Sequence, residues 1–215
     1  MSAETVIAIA RGELGYTESP PGSNRTKYWD EYDKALQGQP WCVSGLWWVF
    51  QHAGEGSAFF GGAKTASCGT LLRWYKAQGM LVPFTDAQAG DIVFLTFHGG
   101  TLPEHCGLVT GRSGVLLKTI EFNTTVGDGG SQDNGGIVCE KTRYPYQIVA
   151  VARPKYKEEE MPKKTDWEGH WAENAIRKAI HKGIIKGYDD GKIRPDQPIT
   201  RAELVTILER LGLLE

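Results

Sequence analysis

Around residues 79–91 the spacing of apolar residues changes from about 3.6 to 2, and few folds accept that change in that order. Upstream, residues 39–54 read Gln-Pro-Trp-Cys-Val-Ser-Gly-Leu-Trp-Trp-Val-Phe-Gln-His-Ala-Gly. Cys42, Gly45, Leu46, Val49, Phe50 and Ala53 fall on one helical stripe; Pro40 pushes its predecessor away from helix, and Gly54 offers a stop. Residues 3–14 predict an earlier amphipathic helix, and 65–79 a later one packing through Leu71, Leu72, Trp74 and Tyr75. Residues 15–39 read as loop-rich. Downstream, residues 91–97, 104–110 and 115–123 alternate as strands; a glycine-rich turn at 127–136 follows, then strands at 137–141 and 147–152. Helices first and hairpin-connected strands afterwards predict an α+β fold with an antiparallel sheet.

Cys42 falls in the first turn of its helix, where free backbone N–H groups and the positive end of the macrodipole favour a thiolate. A buried cysteine is also an ordinary small core residue. Partners decide between the two. On the strand at 104–110, His105, Gly107 and Val109 point one way, and Cys106 and Leu108 the other. On the next, Thr119, Glu121 and Asn123 share a face opposite Ile120 and Phe122. If the Cys42 helix packs on the His105 face, a thiol, an imidazole and a polar orienter meet, which is how cysteine hydrolases are built. His52, in a last helical turn, and His98, in a Gly-Gly loop, are weaker bases, while Cys68, Cys106 and Cys139 read as packing residues.

Charge and cysteine usage exclude other classes. Twenty-four basic against 26 acidic residues give a formal charge of −2, without the basic footprint of a nucleic-acid binder. Four cysteines without C-x-x-C spacing indicate neither a zinc site nor a disulfide framework. No apolar run spans a membrane, and the N-terminal run lacks the basic flank and length of a signal peptide, so synthesis in the cytoplasm without an export signal is expected. Asp30, Glu31 and Asp33 could hold a hard cation through oxygen ligands, but read more simply as a solvated helix face.

Pro40-Trp41-Cys42, Gly90-Asp91-Ile92-Val93, His105-Cys106-Gly107-Leu108-Val109 and Glu121-Phe122-Asn123 together resemble the CHAP family of peptidoglycan hydrolases. The segment from Gly15 through Glu18 to Asn24 is similar to CHAP endolysins of phages and prophages, and the resemblance spans residues 3–153. It implies a papain-like fold and cleavage of an amide in wall peptides. By the match Cys42 is the nucleophile, His105 the general base, Glu121 with Asn123 the orienting pair, and Glu18, Asn24 and Trp41 contact substrate. Some relatives hold calcium in an acidic loop before the cysteine. Asp30 and Asp33 do not reproduce that spacing, so no cofactor is assigned. The scissile bond stays open between the N-acetylmuramoyl–L-alanine amide and one in the stem or bridge peptide.

Residues 154–164 form a charged, proline-bracketed linker between a module at 1–153 and one at 165–215. In the second, Trp171, Ala175, Ile176, Ala179 and Ile180 make a helical stripe, and Thr200-Arg-Ala-Glu203 is a capping box before Leu204, Ile207, Leu208 and Leu211. Arg201 opposes the macrodipole there, as a plain surface residue or as part of an anion site. The segment resembles one S-layer homology (SLH) repeat, a small all-α unit. The resemblance implies binding of an anionic secondary cell-wall polymer, with Asp166, Trp171, Gly187 and Arg201 at matching positions. Such repeats usually act in threes, so self-association is expected, a trimer first and a dimer otherwise. The reading is an endolysin-like hydrolase with peptidoglycan as substrate, acting at the wall after release. Two rivals are a non-catalytic wall-binding protein with an inactive CHAP-like domain, and a cysteine hydrolase of another lineage cutting after γ-Glu.

Overall fold

Capping and burial set the helix boundaries. Helix α1 (Ala3–Gly12) buries Val6, Ile7 and Ala10. The segment expected as loop-rich contains α2 (Lys27–Tyr32), where Thr26 accepts from the Trp29 N–H and Tyr28, Trp29 and Tyr32 are buried. Six residues are too few for a period to register. Helix α3 (Cys42–His52) is buried at every position from 42 to 50, and its N-cap, Trp41, makes no side-chain capping bond. Helix α4 (Cys68–Ala77) starts later than expected because the Ser67 hydroxyl caps it by accepting from the Thr70 N–H.

Strands β1 (Leu81–Val82), β2 (Ile92–Leu95), β3 (His105–Ser113), β4 (Leu116–Thr124), β5 (Ile137–Arg143) and β6 (Ile148–Ala152) form one sheet. Their order is β1-β6-β2-β3-β4-β5, every neighbouring pair antiparallel. The α+β architecture with helices preceding an antiparallel sheet is therefore present.

The helices cover one face of this sheet. Cys106, Leu108, Ile120 and Phe122 share a core with Val6, Leu46, Val49 and Phe50. Val93, Leu95, Val109, Leu117 and Val151 form a smaller core on the other face. Helix α3 thus packs on the Cys106 face, and the expectation that it packs on the His105 face is corrected. Apolar bulk decides this: Ile120 and Phe122 offer far more surface to an apolar helix than Thr119 and Glu121 do. Gly45 lets the helix come close, since a Cβ there would lie 2.3 Å from the Phe122 ring.

The computed structural model describes residues 3–157 and 165–214. The chain divides into two compact units, Met1–Glu159 and Glu160–Glu215. Residues 154–157, expected as linker, belong to the first. Tyr156 packs on its core and donates to the Gly90 carbonyl, and the Lys157 N–H donates to Glu55 at 2.9 Å. The rest of the expected linker, 158–164, lies outside the described residues.

In the second unit, α5 (Glu173–His181) and α6 (Arg201–Arg210) are joined by turns. Thr200 and Glu203 form the reciprocal capping box. Trp167 and Ile176 are its buried apolar residues among those described, while Leu204, Val205, Leu211, Leu213 and Leu214 are exposed.

Candidate active site

Cys42 opens α3, and the absent side-chain cap leaves first-turn N–H groups free to favour negative charge on its sulfur. His105 opens β3. A residue at the end of an interior strand can meet a helix start round the end of the sheet, and the Cys42 thiol and His105 imidazole interact there although α3 covers the opposite face.

Behind His105 stands Glu121. Pairing of β3 with β4 sets it opposite Gly107, where a Cβ would lie 2.6 Å from the Glu121 Cγ. The glycine makes room for the carboxylate under the imidazole. His105 Nε2 lies 3.2 Å from Glu121 Oε2, and both side chains are fully buried. Neither ring nitrogen has an aligned hydrogen-bond partner, so the contact is chiefly electrostatic.

Glu121 is itself held on three sides. Arg143 donates from Nε to Oε1 at 2.7 Å and from Nη2 to Oε2 at 2.5 Å, and the Thr119 hydroxyl donates to Oε1 at 2.7 Å. The guanidinium lies over Phe97, 4.8 Å from the ring centroid, and Phe97 also flanks His105. Arg143 escaped sequence reasoning. The available signal was Lys141 and Arg143, two residues apart on a strand beside the one carrying Glu121.

The charges follow from these contacts. Thiol hydrogen bonds from Cys106 and then Cys68 pull Cys42 down, burial pushes it up, and His105 pulls it down again, leaving it well below an ordinary thiol. Burial lowers His105, but the Cys42 sulfur and then Glu121 outweigh it and raise the imidazole to about 9. Burial raises Glu121, but Arg143 and then His105 bring it to about 2. A thiolate beside an imidazolium, backed by a fixed carboxylate, can attack a carbonyl carbon and return a proton to the leaving group.

Four expected site residues stand elsewhere. The Asn123 carboxamide makes no hydrogen bond to the His105 imidazole. Asn123 sits at φ +60° beside an irregularity in the β4–β5 pairing, donates to Asn134 Oδ1 at 2.9 Å and accepts from the Gly136 N–H at 3.1 Å. Its carboxamide is bonded into the 134–136 turn, which leaves Glu121 as the carboxylate nearest the imidazole. Trp41, fully buried, stacks on Tyr28, and its indole N–H donates to Glu18 at 3.1 Å. Glu18 also accepts from the Asn24 N–H at 3.0 Å, so Glu18 and Trp41 brace the start of α3. Asn24 keeps a buried side-chain oxygen without a partner.

The acidic cluster disperses. Asp33 caps Ala35, Asp30 accepts from Gln37, and Glu31 accepts from the Trp48 indole at 2.7 Å and pairs with His52 at 2.9 Å. Among the described residues, the group with ligand atoms close enough to share an ion is Cys42, Cys68 and Cys106, a convergence that packing roles did not anticipate.

In the second unit Asp166 accepts from the Ile193 and Arg194 N–H groups at 2.9 and 2.6 Å, which braces a loop. A cavity of about 660 Å³ is lined by Trp171, Gly187, Tyr188, Arg194 and Glu203 among others. Trp171 is 90 % exposed, and at Gly187 a Cβ would meet the Lys192 carbonyl at 3.1 Å. Asp166 and Arg201 lie outside this lining, so the four expected polymer contacts do not converge on one cavity. Arg194, stacked 4.3 Å from the Tyr188 centroid, lines it together with Lys186 and Arg210.

Residues 165–205 match the S-layer homology domain. The chain is 54 % identical over 39 residues to cell surface glycoprotein 1 of Acetivibrio thermocellus, covering 18 % of this chain and 2 % of that protein. It is 49 % identical over 45 residues to the cellulosome-anchoring protein of the same organism, covering 21 % and 10 %. A third relative, the outer membrane protein SlpA of Deinococcus radiodurans, is 46 % identical over 43 residues, covering 20 % and 4 %. The chain thus spans a tenth or less of these relatives. Among solved structures it is similar to Ly7917 (TM-score 0.42, 19 % identity, 72 % of this chain and 63 % of that one). It is also similar to the wild-type endolysin LysIME-EF1 (TM-score 0.42, 15 % identity, 74 % and 66 %). Among the described residues, no helix is long and apolar enough to cross a membrane.

Proposed function

We propose that the first unit is a cysteine peptidoglycan hydrolase that cuts an amide of the wall peptide, and that the second unit holds it on the wall. The observation that carries the first half is the buried chain of Cys42, His105, Glu121 and Arg143. The Cys42 thiolate attacks the amide carbonyl carbon, and His105 passes its proton to the departing nitrogen. A thioester remains. His105 then takes a proton from water, whose oxygen attacks the thioester and frees Cys42. Either the N-acetylmuramoyl–L-alanine amide or a stem or bridge peptide bond suits this chemistry. Mass spectrometry of fragments released from defined peptidoglycan tests it: new amine and carboxylate termini are expected at one amide position. Fragments cut after γ-Glu would favour the other hydrolase lineage. No release would leave the rival of an inactive, wall-binding domain, against which the complete thiol–imidazole–carboxylate arrangement stands.

The match of residues 165–205 to the S-layer homology domain, with exposed Trp171 and Arg201 at the first position of α6, supports recognition of an anionic secondary wall polymer. Arg201→Ala is expected to weaken sedimentation with intact walls about tenfold, since one charge-assisted contact contributes roughly 1.5 kcal/mol. Hydrolysis of small soluble muropeptides should not change. Walls stripped of polymer should bind wild type and variant equally poorly, and strong binding to them would exclude the assignment.

The apolar face of α6 also supports self-association through the second unit, a trimer first and a dimer otherwise. Light scattering on the full chain at micromolar concentration is expected to give a mass above that of one chain. A monomer would end this reading.

A further inference from the structure

Helix α3, helix α4 and strand β3 each bring a cysteine to one point. Cys42 and Cys68 are the first residues of their helices and Cys106 the second of its strand. The Cys42 and Cys68 sulfurs lie 3.7 Å apart, and all three lie within 4.8 Å of one another. All are free thiols. Core cysteines satisfy packing singly, and packing gives no reason for three rigid elements to converge on sulfur.

We propose that Cys42, Cys68 and Cys106 form a binding site for a thiophilic d¹⁰ cation, Zn²⁺ being the representative, whose occupation takes Cys42 out of use. A tetrahedral ion with Zn–S bonds of about 2.3 Å needs sulfurs about 3.8 Å apart. The Cys42–Cys68 edge has that length already. The other two need close by at most about 1 Å, within the reach of a χ1 adjustment. Two of the ligands sit at helix N-termini, where thiolate is favoured. Access is from the Cys42 and Cys68 side, which are 5 % and 8 % exposed against 0 % for Cys106. His105 borders Cys42 and has fully buried ring nitrogens without aligned hydrogen-bond partners, so an imidazole nitrogen or a water completes the tetrahedron. Cys42 enters as the thiolate, Cys68 and Cys106 each release their thiol proton to solvent as their Zn–S bond forms, His105 releases its imidazolium proton where it supplies the fourth ligand, and no electron moves.

The loss of activity rests on Cys42 being the nucleophile; the metal site does not, and the experiment separates them. Full-length protein, reduced with a phosphine, is titrated with Zn²⁺ and examined by X-ray absorption, with Cd²⁺ as the reporter of thiolate charge transfer. One ion per chain with three sulfur neighbours at about 2.3 Å is expected. Cys68→Ala with Cys106→Ala should weaken binding by at least about a hundredfold. The single Cys68→Ser variant, near the surface, gives the same direction should the pair fail to fold, as read by circular dichroism. Peptidoglycan release should stop on Zn²⁺ addition and return on chelation. No stoichiometric ion, a shell of nitrogen and oxygen only, or unchanged affinity in these variants would overturn the site. Zinc bound through three sulfurs by a protein that releases nothing when metal-free would keep the site and reject the hydrolase.

Discussion

Cys42→Ser is expected to lose roughly 10³-fold or more of peptidoglycan turnover while wall binding and the thermal transition stay as in the parent protein. A serine hydroxyl fills nearly the same space, but at neutral pH it has almost no anion for the helix start and His105 to stabilise. The pair itself predicts a pH profile. Thiolate and imidazolium coexist between the depressed Cys42 value and about 9, where His105 loses its proton, so activity should fall as pH rises through about 9. Stability follows the same group. The folded imidazole lies above its ordinary 6.5, so its contribution is complete below that value and disappears as pH rises through about 9. Turnover by Cys42→Ser equal to that of the parent protein would remove Cys42 from the chemistry.

The second large effect is expected at Arg143, which need not touch substrate. Arg143→Met keeps the side-chain volume but leaves the Glu121 carboxylate buried without its bidentate partner. Breaking such a pair from one side destabilises by about 3–5 kcal/mol. A chemical denaturation midpoint reads this directly, and a change below about 1 kcal/mol would mean that Glu121 is solvated. Adding Glu121→Gln should recover much of the stability, because no bare charge then remains, without recovering activity, because the imidazolium loses its counterion. Acid sensitivity has a definite sign. Glu121 lies at about 2 against an ordinary 4.5, so its stabilisation is complete above 4.5 and is lost as pH falls through about 2. In Arg143→Met that loss should begin at higher pH.

Much of this was legible in the chain. The switch of period placed α3 and the strands, and spacing singled out Cys42, His105 and Glu121, because helix and strand geometry act over a few residues. What escaped needs distant parts of the chain. Alternation says that His105 and Glu121 share a face, but not which face the helix covers; Phe122 and Gly45 decide that between them. Asn123 leaves the alternation because its φ is positive, and nothing local announces an irregular pairing there. Arg143 reaches Glu121 only once the β4–β5 register is known. The three cysteines come from segments with separate packing periods, each fully explained as core until their sulfurs are placed in space. Helix α2 shows in the chain only as an acidic helix face, because six residues are too few for its apolar period to register.

Gly45 makes the position of the Cys42 sulfur depend on a contact one turn further along the same helical stripe. The smallest side chain there would have to move from 2.3 Å to about 3.4 Å from the Phe122 ring, lifting the start of α3 by about 1 Å. Misplacement of that size can slow a reaction about a hundredfold. Gly45 has no side chain to take part in any chemistry, and still the chain has no freedom to drift there. A library selected for wall lysis should keep glycine at 45 as strictly as cysteine at 42, with the ring at 122 as its silent partner.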